Sequence, residues 1–381
     1  MQLVAYGAQD IYLTGNPQIT FFKVVYRRHT NFSMEAIQQT WAGNADMGNT
    51  ATCTVSRNGD LIHRVYIECE TGLTSASATD NIGSAIIDNV ILEIGGQEID
   101  KHYGHWMETW AELTEPNDAG VVGTSNIPEL TDGTKFQNMS GFGGVNGSTT
   151  ATLTTPIWIP LFFWFCRNPG LALPLIALQY HEVKIITKFA STTDSTVSKN
   201  GEINLWVDYI YLDTDERRRF AQVSHEYLIE QLQYINSNDK IMHNLNFNHP
   251  VKELIWTGQP SSASGSISTP TEITNGTYHL ELNGHQRFAP RDYRYFTKTQ
   301  VWQHHTGFGG LDLNDSGLKN TIAVYSFALK PEEHQPSGTC NFSRIDNAIL
   351  ISENSASLNI YAINYNVLRI MSGMGGLAYS N

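Results

Sequence analysis

The stretch Asp213-Thr214-Asp215-Glu216-Arg217-Arg218-Arg219 is the densest run of charge in the chain, and it lies between two strand-like segments, 204–212 and 226–234. Three consecutive arginines invite a nucleic-acid interpretation. The window also contains three carboxylates, so its charge is locally balanced. A short solvated helix or turn that joins two domains is the simpler interpretation.

Length and composition favour two globular domains in a protein that forms assemblies. The 381 residues exceed what one ordinary hydrophobic core holds, and a hydrophobic fraction of 41% is sufficient for packing. Charged residues make up 16%, below the roughly 25% usual for soluble domains. Because interface cores are depleted in charge, this points weakly toward subunit contacts. The net charge of −13 argues against direct, wholesale binding of DNA or RNA.

The cysteines and the N-terminus indicate a protein made in the cytosol. Four cysteines are widely spaced without a CxxC motif, so we expect reduced thiols. The first ten residues lack the basic and apolar regions of a signal peptide. The most apolar run, 156–166, is far shorter than the ~20 residues that span a bilayer. We therefore expect no membrane anchor within the chain.

Residues 1–25 read as an N-terminal arm that mixes turn signals with aromatic residues. Its apolar side chains either cover the base of the following domain or contact a neighbouring molecule. Packing against the chain's own core is the simpler interpretation.

From residue 31 onward the pattern is that of β-strands separated by long loops. One helix is predicted from Lys101 to Leu113, where aromatic residues recur at spacings of three and four. Surface loops are predicted at 114–155, 261–271 and 307–319. The predicted strands are 32–38, 61–68, 89–99, 156–165, 182–189, 204–212, 224–234, 241–248, 252–256, 279–282, 322–329, 348–352 and 358–364. Many short strands with little helix indicate all-β sandwiches.

A faint internal repeat supports two copies of one sandwich. Residues 92–99 align with 280–288 at an offset of 188, and both segments are apolar strands that turn at glycine. Gly96 and Gly284 are therefore predicted to be critical for these turns.

No motif for catalysis stands out. His102 and His105 lie three apart and could form half of a metal site, but no acidic or thiol partner has metal-ligand spacing. Nucleophile-elbow and phosphate-loop motifs are absent, and no carboxylate pair stands out for acid/base chemistry. We expect no enzyme activity, cofactor or metal. A metal-dependent enzyme of the cupin kind, using these two histidines, is a remote alternative.

Several long segments carry a family resemblance. They include 169–184 (PGLALPLIALQYHEVK), 335–348 (QPSGTCNFSRIDNA) and 364–379 (NYNVLRIMSGMGGLAY), together with YLTGNPQITFFK at 12–23. Through them the chain resembles the major capsid proteins of large nucleocytoplasmic DNA viruses, above all those of algae. The resemblance covers essentially the whole chain.

The resemblance implies an all-β fold of two consecutive eight-stranded antiparallel jelly rolls with short helices in loops. It divides the chain into an arm (1–25), a first jelly roll (26–212), a linker (213–223) and a second jelly roll (224–381). It implies a structural capsid protein whose homotrimers form pseudo-hexagonal capsomers that tile an icosahedral shell. The chain would then be part of the virion capsid, assembled in the host cytoplasm, and would contact copies of itself in neighbouring capsomers.

The resemblance also implies roles for particular segments. The arm would face inward, toward minor capsid proteins and an internal membrane. Asp215, Glu216 and the arginines Arg217, Arg218 and Arg219 would brace one domain against the other. Outward-facing loops would carry glycans, with Asn146 and Asn275 as candidate sites in N-x-[ST] sequons.

A carbohydrate-binding attachment protein with a jelly-roll fold is the alternative function. Its binding platform would be made of loop aromatic residues such as Phe142, Trp302 and Phe308. It predicts a monomer or small oligomer with measurable affinity for sugars.

Overall fold

The computed structural model describes residues 7–70, 72–75, 79–116, 133–145, 151–152, 155–192, 196–199, 201–260, 268–273, 275–310 and 318–379. Strands dominate these ranges, and all paired strands in them run antiparallel. The first half contains β1 (Phe32–Gln39), β2 (Thr50–Thr54), β3 (Leu61–Cys69), β4 (Leu73–Ser75), β5 (Ile87–Ile94), β6 (Gln97–Tyr103), β7 (Ala151–Thr152), β8 (Ile157–Pro160), β9 (Leu173–Pro174), β10 (Val183–Phe189), β11 (Val197–Lys199) and β12 (Ile203–Leu212). The second half contains β13 (His225–Asn244), β14 (Pro250–Gly258), β15 (Thr277–Leu282), β16 (His285–Gln286), β17 (Arg291–Asp292), β18 (Ile322–Ser326), β19 (Cys340–Asn341), β20 (Ala348–Met371) and β21 (Met374–Leu377).

Helices are short and lie between strands. The α-helices are α1 (Ile11–Thr14), α2 (Ile82–Ala85), α3 (Gly104–Thr114), α4 (Lys135–Ser140), α5 (Trp164–Arg167), α6 (Thr214–Gln222) and α7 (Gln300–His304). A π-helix, Tyr295–Thr299, leads into α7, and 3₁₀ turns occupy Pro169–Leu171 and Phe342–Arg344.

The first jelly roll contains two main sheets. Sheet 1A has the order β1-β12-β3-β8, with β9 as a fifth strand paired to β3, and the four-stranded sheet 1B has the order β2-β10-β5-β6. Alternation along β3 and β12 buries every second side chain, such as Val65, Ile67, Leu205 and Val207, as expected for strands with one face on a core. A smaller sheet, β11-β4-β7, lies beside them.

The second jelly roll repeats this strand order, but two of its strands, β13 and β20, are long and each run through both sheets. Sheet 2A has the order β13-β20-β14-β18. In it, residues 225–237 of β13 pair with residues 358–370 of β20, β20 pairs with β14, and β14 pairs with β18. Sheet 2B has the order β13-β20-β15-β16. In it, residues 242–244 of β13 pair with residues 349–351 of β20, the same part of β20 pairs with β15, and β15 pairs with β16. The first and last strands of each half are thus neighbours in its A sheet. The topology repeats, and the fold is the expected double jelly roll.

The repeated hairpins turn at the two glycines singled out in the sequence. Between β5 and β6, Gly95 and Gly96 have φ of +59° and +83°; between β15 and β16, Asn283 and Gly284 have φ of +53° and +73°. Positive φ at both central residues is the two-residue hairpin turn that glycine and asparagine favour. A Cβ at Gly96 or Gly284 would meet no atom within 4 Å, so the demand for glycine there is conformational.

Two hydrophobic clusters form the main core. One lies inside the second jelly roll and includes Trp256, Tyr278 and Phe296. The other fills the first jelly roll and continues into the second, where it includes Tyr361 and Ile363. Because this cluster crosses from one jelly roll to the other, the two halves share part of their hydrophobic core.

The charged stretch forms helix α6, as the sequence interpretation of a short solvated helix expects. None of its residues is buried, and two carboxylates lie in its first turn, where they oppose the positive end of the helix dipole. Phe220 at its end packs against a small cluster of Leu61, Ala172 and Ile210 in the first jelly roll.

Some sequence expectations were wrong. The N-terminal arm does not pack on the chain's own core over residues 7–25, because large apolar side chains such as Tyr12, Phe21 and Phe22 are 88–98% exposed. The helix predicted from Lys101 begins at Gly104, because 101–103 pair with β5 as the end of β6. The end of the predicted strand 156–165 is helix α5.

Candidate assembly interface

The contact between the two jelly rolls is the most elaborate side-chain arrangement in the described residues, and we call it the seam. Helix α3 of the first jelly roll lies on the outer face of sheet 2A. Trp106 packs against Tyr361 with ring centroids 5.1 Å apart and ring planes tilted by 45°, and His105 Nδ1 shares a 2.5 Å hydrogen bond with the Tyr361 hydroxyl. Trp106 and Trp110 are 4% and 3% exposed. The aromatic stripe predicted on this helix therefore covers the neighbouring jelly roll.

Strand β6 extends the seam along β13. The main-chain N–H of Leu232 donates to Asp100 Oδ1 at 3.1 Å, and the Gln231 side chain donates to the carbonyl of Ile99. At the far end of α3, the N–H of Gly307 donates to the carbonyl of Leu113 at 2.7 Å. Gly310 N–H donates to the Glu112 carboxylate at 2.8 Å. These four donors are thus paired across the seam.

A buried ion cluster joins the two halves at the centre of the seam. Glu230 of β13 lies between two cations: its Oε1 is 2.8 Å from Lys252 Nζ, and its Oε2 is 3.0 Å from Arg167 Nη1. Lys252 is fully buried and Glu230 is 4% exposed. Burial alone would raise the pKa of Glu230, but Arg167 and Lys252 outweigh it and hold this pKa below its ordinary value. Because Arg167 belongs to the first jelly roll, this cluster ties the halves together.

His305 forms a second buried charge site nearby. Its Nε2 is 3.0 Å from Glu253 Oε2, and its Nδ1 is 3.0 Å from Glu332 Oε1. Carboxylates only accept hydrogen bonds, so the ring donates from both nitrogens and is an imidazolium. Burial lowers the pKa of His305, but the charges and hydrogen bonds of the two carboxylates outweigh this and raise it to about 9.

In the part of the chain that the structure describes, the other jelly roll does not cover the outer face of sheet 1A as it covers that of sheet 2A. Trp158 and Trp206 both donate their indole N–H to the Glu68 carboxylate, at 3.0 and 2.5 Å. Tyr66 lies beside Trp206 across the β3–β12 pair. A groove of about 670 Å³ runs along this face, lined in part by Tyr66, Trp158 and Asp208.

The linker residues lie on α6, and one of them has a defined partner. Arg217 Nε is 2.9 Å from Asp60 Oδ1, and the other oxygen of this buried carboxylate accepts from Leu212 N–H at 2.9 Å. Asp60 is a first-jelly-roll residue, so Arg217 attaches the helix to that half. Asp215, Arg218 and Arg219 are exposed and Glu216 is half-buried; their bracing role stays a prediction.

The candidate glycan and metal residues are dispersed. Asn275 is exposed, and Asn146 lies outside the described residues. His102 Nε2 is 2.9 Å from Asp100 Oδ2, while His105 is bonded to Tyr361. Over the residues that the structure describes, no group of three or more His, Cys, Asp or Glu side chains could hold a metal ion. Within the same ranges, no helix has the length and apolar character needed to cross a bilayer.

The aromatic platform of the alternative function is not assembled. Phe142 is completely buried, so it cannot stack on a sugar, whereas Trp302 is 80% exposed and Phe308 39%. Phe142 was misjudged because its glycine-rich surroundings resemble a surface loop. The seam residues Arg167, Glu230 and Lys252 were missed because isolated charges in strands give no sequence signal for pairing.

The fold and seam define a class of structural proteins built from two fused jelly rolls. Residues 20–213 match the family described as "Major capsid protein N-terminus", and residues 216–376 match "Large eukaryotic DNA virus major capsid protein". The chain is 51% identical to the major capsid protein of Pyramimonas orientalis virus, over 100% of this chain and 99% of that protein. It is 43% identical to the major capsid protein of Paramecium bursaria Chlorella virus 1, with the same coverage.

A solved structure gives the same result. A chain of the PBCV-1 virus capsid superposes with a TM-score of 0.78 at 38% identity, covering 95% of this chain and 100% of that one. The chain belongs to the major capsid protein family of large eukaryotic DNA viruses. It is a structural component of a virus capsid and not an enzyme, as the sequence resemblance implied.

Proposed function

We propose that three copies of this chain form a homotrimeric, pseudo-hexagonal capsomer that tiles an icosahedral shell. The observation that carries this proposal is the asymmetry of the seam. The first jelly roll contributes β6 and α3, whereas the second contributes the face of sheet 2A. Contacts between unlike surfaces close into rings when their rotation permits. Two similar lobes per chain, repeated three times, give six lobes for a hexagonal lattice.

Each chain has similar partners around it. The relative of 38% identity is a chain of the PBCV-1 virus capsid, and by this likeness the trimer contacts neighbouring capsomers of its own kind. We assign residues 26–212 and 224–381 to the two lobes and 213–223 to their linker, with Asp215, Glu216, Arg218 and Arg219 bracing lobes of the same or a neighbouring chain. The match boundaries at 213 and 216 support this division.

The N-terminal arm contacts minor capsid proteins or the internal membrane. Ile19, Phe22 and Val25 are 72–98% exposed, which is more apolar surface than a free segment usually presents. Lys23, Arg27 and Arg28 add positive charge that suits anionic lipid headgroups. Assembly in the host cytoplasm agrees with four free cysteines, since disulfides are rare in reducing compartments.

The oligomeric state tests the proposal. Light scattering of the purified full chain should give three times the chain mass of 42.5 kDa. A stable monomer at concentrations of tens of micromolar contradicts it. Deleting residues 1–25 provides the second measurement: the truncated chain should still form trimers but lose binding to vesicles that contain anionic lipid.

A further inference from the structure

Sheets 1A and 2A are equivalent in the repeat, yet among the residues that the structure describes only sheet 2A is covered by the other jelly roll. In both sheets, the first strand of the jelly roll pairs with its last long strand, β1 with β12 and β13 with β20. On β13, Ile229, Glu230 and Gln231 are buried under the first jelly roll. Residues 32–36 of β1 are all exposed. The first jelly roll thus has an open surface where the second has a partner.

The covering elements are also repeated, and one copy is free. In the first jelly roll, β6 and α3 follow the Gly95–Gly96 hairpin and cover sheet 2A. In the second, residues 285–292 and then α7 follow the Asn283–Gly284 hairpin. Ile99 and Asp100 on β6 are 1% and 4% exposed, whereas 283–287 and 289–292 are exposed. Over the described ranges, one covering surface and one acceptor surface therefore remain without a partner in each chain.

Trp302 is the residue that stands out on the free covering surface. It lies on α7 and is 80% exposed, while Trp106 on α3 is 4% exposed against Tyr361. Large exposed tryptophans are enriched at interface centres, where each contributes strongly to binding. The interactions of Trp302 are therefore expected to come from another molecule.

The acceptor surface has matching chemistry. The outer face of sheet 1A presents Trp158 and Trp206, whose indoles are held in place by the Glu68 carboxylate. The groove beside them, about 670 Å³ in volume, is wide enough for an aromatic side chain. The groove is lined by the carboxylates of Glu115, Asp208 and Glu332 and by the guanidinium groups of Arg64 and Arg167, so the match between the two surfaces rests on their aromatic side chains.

We infer that Trp302 of one chain docks onto the outer face of sheet 1A of a neighbouring copy, at Tyr66, Trp158 and Trp206. This contact between two chains is equivalent to the packing of Trp106 on sheet 2A within one chain. It rests on the proposed trimer and assigns the surfaces that close it. Because the contact is heterologous, each chain donates one Trp302 and accepts one, so three contacts close the ring.

Alanine variants of the donor and the acceptor test the assignment. Trp302→Ala should raise the chain concentration at half-dissociation of the trimer by at least about 30-fold, the effect of losing one hot-spot residue. Trp158→Ala should act in the same direction. Tyr180→Ala, which removes an aromatic ring that is 75% exposed outside both surfaces, is the matched control and should leave dissociation unchanged.

Mixing the variants distinguishes this geometry from others. A Trp302→Ala chain keeps its acceptor and a Trp158→Ala chain keeps its donor, so an equimolar mixture should give dimers of twice 42.5 kDa that cannot close. Hydrogen exchange of the unmodified chain gives a second readout: the peptide carrying α7 should exchange more slowly in the trimer than after dilution to monomer. A wild-type trimer that tolerates Trp302→Ala without weakening, or shows no protection at α7, overturns the inference but leaves the trimer intact. A wild-type chain that remains monomeric overturns both.

Discussion

Replacing Lys252 with methionine removes one charge from the centre of the seam. Lys252 Nζ lies 2.8 Å from Glu230 Oε1, and the lysine is fully buried. Methionine fills much of the space of the lysine stem without its ammonium. Glu230 then keeps only Arg167, whose side chain is 27% exposed and so is partly screened by water.

The loss of stability in Lys252→Met follows from the burial of the Glu230 carboxylate that remains. At 2.8 Å the attraction between unit charges is about 6 kcal/mol with an effective dielectric constant of 20. Part of this is offset because the lysine no longer has to be desolvated. Removing one partner of a buried pair typically costs about 3–5 kcal/mol, a large part of the roughly 5–15 kcal/mol that stabilises a domain. The pKa of Glu230, held low by its two cations, should rise.

Urea unfolding followed by tryptophan fluorescence measures the effect at one fixed chain concentration. Lys252→Met should lower the midpoint by about 1–2 M, because urea slopes increase with chain length and a chain of this size should have a slope near the upper end of the typical range, about 3 kcal/mol per molar. The control is Lys199→Met, whose ammonium lies 3.8 Å from Asp46 in a half-exposed pair and should matter by less than about 1 kcal/mol. Adding Glu230→Gln to Lys252→Met should recover stability, because the uncompensated charge is gone. Equal midpoints for the two lysine variants, or a double variant weaker than Lys252→Met, would refute this account of the seam.

Three further predictions address the turns, the buried histidine and the loops. Gly284→Val should destabilise the chain by about 1–2 kcal/mol, because a β-branched residue tolerates the φ of +73° poorly. Gly284→Asn should destabilise it less, and equal thermal midpoints for the two variants would refute the requirement for positive φ at this turn. The pKa of His305 is about 9 in the folded chain and about 6.5 in the unfolded chain. The protonated ring therefore contributes its full stabilisation below pH 6.5, and this stabilisation is lost as the pH rises through 9. The decline should be smaller in His305→Gln, and equal pH profiles of stability for the variant and the unmodified chain would contradict the assignment of His305 as an imidazolium. Intact-mass analysis of virion protein should show a glycan that disappears in Asn275→Gln, and a mass equal to that of the bare chain would exclude it.

Local sequence patterns were sufficient for much of the fold. Alternation placed β3 and β12 within a residue, because each has one face on the core and one outside. It also placed β1 within a residue, although residues 32–36 of that strand are exposed on both faces. Glycine turns revealed the repeat, since both hairpins need positive φ at the same point. The segments predicted as 348–352 and 358–364 are one strand, β20, because it pairs with β15 at one end and with β13 and β14 at the other. Such pairing depends on the tertiary fold and leaves no local signal.

The assembly surfaces were harder to predict than the strands. The aromatic stripe on α3 is visible in sequence, but periodicity does not say whether a stripe covers its own domain or the next. Trp302 was considered only as part of a sugar platform, because its place in the repeat becomes clear once α7 and α3 are seen after equivalent hairpins. The exposed arm was misjudged for the same reason. Apolar composition predicts that side chains are buried, but it does not say whether they are buried against the same chain or against another molecule.

Electron-microscopic imaging of the purified particle tests the central claim most directly. Three chains with two similar lobes each should give class averages with six lobes, a hexagonal outline and threefold symmetry about the particle axis. Averages with two lobes, or a particle with twofold symmetry, would contradict a ring closed by unlike surfaces.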